Sequence, residues 1–195
     1  MRYCSTACQQ SDSAQHNTLC STFQNFQERP SDDHYRSIYF PLNERRPRFI
    51  WLRFTGSRGV QEPDSDHLAR YIAEKVEGRF TLQKHHELDR SFSNLVIIEY
   101  DDSMYDCFQP FNQCLLRMIG IAAERWRGDY VAHGQKYLDS DDMDAVDAGD
   151  QDLVTDDLPM IALDLDTTSL GPIVAYLKWH EQNDQDHFSI LMGAH

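Results

Sequence analysis

Residues 94–100 read Asn-Leu-Val-Ile-Ile-Glu-Tyr, a run whose centre is unbroken, apolar and rich in β-branched side chains. Such a run predicts a buried strand. A second run of strand-forming residues, Arg-Phe-Ile-Trp-Leu-Arg-Phe, occupies 48–54, and residues 37–40 precede it across a loop that begins and ends with proline. The simplest structure for residues 37–54 is a β-hairpin.

Three segments carry apolar residues at the three-and-four spacing of an amphipathic helix. The clearest begins after Pro63 and is expected to end at Gly78, because glycine is favoured just past a helix C-terminus. The second begins at Pro110, and the third is capped by Thr168 or Ser169. Their apolar positions are Leu68, Tyr71, Ile72 and Val76; Phe111, Cys114, Leu115, Met118 and Ile119; and Ile173, Val174, Leu177 and His180.

The acidity of the chain is concentrated in one segment. Lys and Arg total 18 against 32 Asp and Glu, a net charge of −14, and eleven of the aspartates lie in residues 139–166 with no basic residue among them. We interpret residues 139–158 as a flexible, solvated acidic loop. An acidic chain also makes nucleic acid an improbable partner, because non-specific binding depends on Lys and Arg at phosphates.

The remaining composition indicates an intracellular protein. The apolar runs are far shorter than the roughly 20 residues of a membrane-spanning helix. The first residues lack the charged start and apolar centre of a signal peptide. Five cysteines, an odd number unevenly spaced, suit a reducing compartment better than a disulfide framework. Nucleus and cytoplasm are not distinguished.

A cluster of metal-binding residues occupies the first twenty positions. Cys4, Cys8, His16 and Cys20 follow the pattern Cys-x3-Cys-x7-His-x3-Cys. Thiolate and imidazole are the ligands that tetrahedral zinc prefers. If residues 9–20 are helical, His16 and Cys20 lie one turn apart on one face and can reach the same ion. The pattern predicts a structural zinc site formed by these four residues.

This segment resembles the second half of a MYND-type zinc finger. The matching positions are Tyr3, Cys4, Ser5, Cys8, Gln9, Asp12, His16 and Cys20. The resemblance implies a cross-brace of two zinc ions, with Cys4 and Cys8 on one ion and His16 and Cys20 on the other. The four upstream cysteines of the family have no counterpart here, so three expectations stay open: the four ligands share one ion, the finger binds nothing, or the true start lies upstream of Met1.

Two further comparisons concern the binding surface of the finger and the rest of the chain. Ser13 replaces the tryptophan that contributes to proline-rich peptide binding in MYND modules, which weakens the implied peptide binding. The rest of the chain resembles, more loosely, uncharacterised fungal proteins in which a finger precedes an α+β domain. Phe40-Pro41 and Trp126-Arg127-Gly128 carry that likeness.

Other candidate sites are less specific. Six residues separate Cys107 from Cys114, unlike a zinc knuckle or a redox pair, so we interpret both as packing residues. The one basic concentration comprises Arg45, Arg46, Arg48, Arg53 and Arg58, with Phe49, Trp51 and Phe54 between them. These arginines could bind single-stranded nucleic acid or the acidic loop of the same chain. We favour the loop, because strand alternation would separate the aromatic residues from the arginines.

The sequence therefore predicts an α+β fold in several parts. Residues 1–20 form a truncated, zinc-finger-like segment with a short helix, 21–36 a linker, 37–138 with 159–183 one mixed α+β domain, and 184–195 a tail. The expected function is zinc-ion binding and non-enzymatic interaction with a protein or short peptide. The alternative is an enzyme of unknown reaction in the α+β domain, although that domain carries no recognisable catalytic motif.

Overall fold

The structure of the protein is a computed structural model. It describes residues 17–56, 60–72, 76–85, 90–101, 110–120, 126–138 and 160–192. Three of the predicted zinc ligands, Cys4, Cys8 and His16, lie outside these residues, as does the acidic segment 139–158.

Among the residues that the structure describes, seven strands form one sheet. They are β1 (His34–Phe40), β2 (Arg48–Thr55), β3 (Glu62–Pro63), β4 (Val76–His85), β5 (Arg90–Asp101), β6 (Tyr130–Tyr137) and β7 (Met160–Leu163). The strand order is β3-β2-β1-β6-β5-β4, and β7 pairs with β6. Residues 130–132 of β6 pair with β1 and residues 134–137 pair with β7, so β1 and β7 lie end to end along one edge of β6. All of these strand pairs are antiparallel.

Within the described ranges, four helical segments accompany the sheet. Residues 17–23 form α1, which a 3-10 turn (Gln24–Phe26) extends, and they are followed in the chain by α2 (Ser65–Leu68), α3 (Gln113–Ile119) and α4 (Leu170–Met192). The side chain of Asp64 accepts a hydrogen bond from the His67 N–H and caps α2. Asn112 caps α3 in the same way.

The sheet is covered on both faces. On one face α1, α3 and α4 bury the main core, to which Leu19, Phe40, Ile98, Leu115, Trp126 and Ile173 contribute. On the opposite face α2 and the turn after it cover a second, smaller core. Tyr39, Ile50, Leu52, Phe54, Leu68, Ile72, Val131 and Ala162 form this second core. Strands β1 and β2 therefore send alternate side chains into two apolar interiors.

Several predictions made from the sequence are confirmed. The fold is α+β, and the hairpin of residues 37–54 exists as β1 and β2. The run at 94–100 is part of β5, where every side chain from Leu95 to Tyr100 is buried. The helices expected after Pro110 and Ser169 are α3 and α4.

The helix predicted from Pro63 to Gly78 is wrong. Helix α2 ends at Leu68, and the chain then turns before β4 begins at Val76. Leu68 and Ile72 do share a buried face, which explains the helical spacing. Gly78 is instead a residue of β4 where only glycine fits, because a Cβ atom at this position would lie 2.2 Å from the ring of Tyr100.

Two predicted boundaries also differ from the structure. Residues 21–36, expected as a linker, contain the end of α1, the 3-10 turn and the start of β1. The predicted tail at 184–195 is helical up to Met192, because α4 continues that far.

Candidate functional site

Cys20 is the one predicted zinc ligand among the described residues. It lies on α1, and its side chain is exposed as a free thiol. The preceding residue, Leu19, is fully buried in the main core. Phe23 and Phe26 hold the same segment to the sheet, with ring centroids 5.5 and 5.9 Å from that of Phe49. Helix α1 therefore fixes the orientation of Cys20 toward solvent.

The predicted zinc ligands lie mostly outside the residues that the structure describes. Within the described ranges, no three His, Cys, Asp or Glu side chains lie together as a metal site. The exposed thiol at the end of the predicted set fits a metal ligand, since zinc binds the thiolate form of an accessible cysteine.

Cys114 has a different environment. Its side chain is fully buried on α3, and its thiol points to the sulfur of Met118 at 3.9 Å. Burial raises the pKa of the Cys114 thiol to about 12, and the nearby carboxylate of Glu44 acts in the same direction. A thiol that is fully buried and packed against Met118 is out of reach of a solvent ion or substrate, which supports its interpretation as a packing residue. Cys107 lies outside the described residues.

A buried acid–base pair lies on the face of the sheet that carries the second core. The Oε1 atom of Glu99 on β5 is 3.2 Å from Nε2 of His133 on β6, and their side chains are only 2% and 1% exposed. The ring of Phe54 packs edge-on against His133 with centroids 5.4 Å apart. Arg79, half exposed on β4, brings its Nε atom to 3.8 Å from the same carboxylate oxygen.

Polar groups next to this pair are only partly satisfied. Gln135 follows His133 on the same face of β6 and donates to the backbone oxygen of Gln61 at 2.7 Å. Within the described part of the chain, Glu99 Oε2, His133 Nδ1 and Gln135 Oε1 are buried without a hydrogen-bond partner. Each such atom lowers the free energy of unfolding by about 1–3 kcal/mol. Nothing in the spacing of the sequence indicated this group, because Glu99 and His133 are 34 positions apart in the chain.

Two clefts open on the face of the sheet that α4 covers. The smaller, with a volume of 260 Å³, lies between β5, β7 and the start of α4. Its carboxylates serve the fold: Asp164 accepts from Arg29 at 2.7 Å and from the Arg36 N–H at 2.8 Å, and Asp166 binds Thr168. Neither Glu99 nor His133 lines either cleft.

The larger cleft has a volume of 380 Å³ and is lined by some of the arginines of the basic concentration noted in the sequence. Arg45 and Arg46 line it together with Arg117 of α3. Arg48 instead binds Glu44 at 2.6 Å, and Arg53 binds Asp64.

The expectation that strand alternation separates the arginines of β2 from its aromatic residues is wrong. Arg53 shares a face of the strand with Phe49 and Trp51, and Arg48 shares the other face with Phe54, because side chains two positions apart lie on one face. Arg58 and the acidic segment lie outside the described residues.

Comparison with known proteins finds no matching family model, no matching curated protein and no matching solved structure. In the described part of the chain, no helix has both the length and the apolar character needed to cross a bilayer.

Proposed function

We propose that this chain is a non-enzymatic, zinc-binding interaction protein whose first twenty residues form the metal site. The observation that carries the proposal is the contrast between neighbours on α1: Leu19 is fully buried and Cys20 is exposed. Free cysteine is among the most buried residue types, so an exposed cysteine on a well-packed helix is rarely a packing residue.

Four residues would hold the ion: Cys4, Cys8, His16 and Cys20. Two of them, His16 and Cys20, are one helical turn apart in sequence, the spacing at which side chains share a helix face. A segment of this size cannot bury a core of its own, so zinc would supply its folding free energy. Helix α1 links this segment to the sheet through the buried side chain of Leu19.

The expected partner is a protein or a short peptide inside the cell. A structural zinc site orders a short surface segment without supplying a reaction, which suits recognition rather than catalysis. Nucleic acid is disfavoured by the net charge of −14.

The enzyme alternative would require the Glu99–His133 pair to meet a substrate. Both side chains are closed to solvent, and neither lines the two clefts described above. We therefore interpret the pair as part of the fold and keep the zinc proposal.

Zinc content per chain tests the proposal. We expect elemental mass spectrometry of protein purified without added metal to give one zinc per chain. Cys8→Ser should lose the zinc, whereas Cys107→Ser, a matched change outside the predicted ligands, should retain it. An unfolding transition in Cys8→Ser shows that the sheet domain is still folded. Wild-type protein without zinc, or a Cys8→Ser variant that keeps it, would overturn the assignment.

A further inference from the structure

The larger cleft is formed by four separate parts of the chain. Asn17 and Thr18 come from α1, Arg45 and Arg46 from the loop between β1 and β2, Arg117 and Met118 from α3, and Val174 from α4. All three arginine side chains are exposed. Within the described residues, none of the three makes an ion pair.

The walls of this cleft contain almost no negative charge. Residues 17–23, 113–119 and 170–178 include no Asp or Glu, and the loop 41–47 includes only Glu44. The carboxylate of Glu44 binds Arg48 at 2.6 Å rather than Arg45 or Arg46. Three cations therefore converge in a concave site of a protein whose net charge is −14. Concave walls of one sign focus the electrostatic field and concentrate counter-ions of the opposite sign.

We propose that this cleft binds a small phosphate-bearing molecule through Arg45, Arg46 and Arg117. The planar guanidinium group donates two parallel hydrogen bonds to a phosphate, which makes arginine well suited to this group. Three of them around one cleft can neutralise the two or more charges of a phosphate ester. The ligand in turn removes the repulsion among three like charges.

The size and remaining walls of the cleft favour a small organic ligand. Its 380 Å³ lies within the range of about 300–1,000 Å³ that small-molecule sites occupy. Met118 and Val174 supply an apolar wall that can pack against a base or another apolar group, while Asn17 adds a polar side chain.

Calorimetric titration of the full chain as purified tests this proposal. The probes are inorganic triphosphate and adenosine triphosphate at low ionic strength without magnesium. We expect saturable binding of one molecule per chain, with the nucleotide binding more tightly because of the apolar wall. Arg117→Gln should weaken binding by about tenfold or more, the loss expected when a charge-assisted hydrogen bond is removed.

The matched control is Arg70→Gln, an exposed arginine next to α2 on the opposite face of the sheet. It removes the same charge far from the cleft and should leave the affinity unchanged. Equal weakening in Arg117→Gln and Arg70→Gln would overturn the proposal, because the effect would then come from net charge alone. Absence of saturable binding would overturn it as well.

Three further binding measurements identify the class of ligand. Citrate that binds as tightly as triphosphate would overturn the preference for phosphate. A single-stranded oligonucleotide that binds about tenfold tighter than the nucleotide would assign the cleft to nucleic acid instead. If the probes bind only after residues 139–158 are replaced by a Gly-Ser linker, the occupant is the aspartate-rich segment of the same chain, and the proposal is wrong.

Discussion

The carboxylate of Glu99 and the imidazole of His133 lie 3.2 Å apart on neighbouring strands, with both side chains almost completely buried. Each residue is the main polar partner that compensates the burial of the other. Removing one member leaves the other buried beside the second core without its polar partner. A buried pair of this kind is costly to break, although replacing both members by apolar residues is often neutral.

We therefore expect Glu99→Leu or His133→Leu alone to lower the free energy of unfolding by about 3–5 kcal/mol. The double variant should recover most of this loss, since neither buried polar side chain is then left without its partner. Denaturant unfolding followed by circular dichroism measures all three. Glu28→Leu, an exposed glutamate before β1, is the matched control and should change stability by less than about 0.5 kcal/mol. Additive losses in the double variant would contradict this interpretation.

A second prediction concerns pH and His67. Its Nδ1 atom accepts a hydrogen bond from the Arg53 N–H at 2.8 Å, which requires that nitrogen to be unprotonated. Burial, together with the positive charges of Arg70, His34 and Arg53, lowers the pKa of His67 below its ordinary value. The unfolded chain then binds a proton at a higher pH than the folded chain, so this contribution to stability is lost as the pH falls from about 6.5 through the lowered pKa.

The variant His67→Asn tests that prediction, because its amide oxygen can accept the same hydrogen bond without titrating. We expect the stability difference between pH 7 and pH 5 to be smaller in this variant than in the wild type. Thermal melts at both pH values measure the difference. An equal pH dependence in the two proteins would show that His67 does not contribute.

Asn112 joins three parts of the fold, and its loss should be severe. Its buried amide nitrogen donates to the backbone oxygens of Phe40 at 2.9 Å and Gly128 at 2.7 Å, while its oxygen caps α3 at the Leu115 N–H. Replacement by alanine leaves buried backbone groups unpaired and removes a helix cap, so we expect a loss of about 2–4 kcal/mol.

Two further substitutions separate the roles of Asn112. Asn112→Asp keeps the cap but loses both donors, and should also be destabilising. Gln113→Ala, at the exposed next position, is the control and should be nearly neutral. If Asn112→Ala unfolds at the same denaturant concentration as Gln113→Ala, the network carries little stability.

The two described cysteines should differ in reactivity. Cys20 is exposed, whereas burial raises the pKa of the Cys114 thiol to about 12. We expect iodoacetamide to modify Cys20 and to leave Cys114 unmodified until denaturant is added, as measured by peptide mass spectrometry. A chelator should accelerate modification of Cys20 if zinc protects this thiol. Rapid labelling of Cys114 in the native protein would contradict the structure.

The strands could be predicted because their signals are local. Residues 48–54 form a strand with apolar residues on both faces, and the structure uses them in two cores. The helix error had a local cause as well. Leu68 and Ile72 produce a helical spacing across a short helix and a turn, while Gly78 is needed where the ring of Tyr100 approaches β4.

The sites were harder to predict because they join distant residues. Arg45 and Arg46 were visible as part of a basic group, but Arg117 reaches them only through the packing of α3 against the loop between β1 and β2. Which arginines are neutralised depends on Glu44 and Asp64, and their choice of partner is a property of the folded chain. The zinc ligands predicted at residues 4–20 rest, by contrast, on spacing alone, and Cys20 is the one of them that the structure describes.

The arrangement of β6 and β7 has a practical consequence. Tyr137 and Met160 are direct partners in the antiparallel pair, so the chain leaves the sheet and returns to it within a few ångströms. Closing a connection between two anchored ends depends only weakly on its length, and each doubling costs about 0.6 kcal/mol. The position between these strands is therefore a natural insertion point, where a fluorescent reporter or an affinity tag can be added with little strain on the sheet.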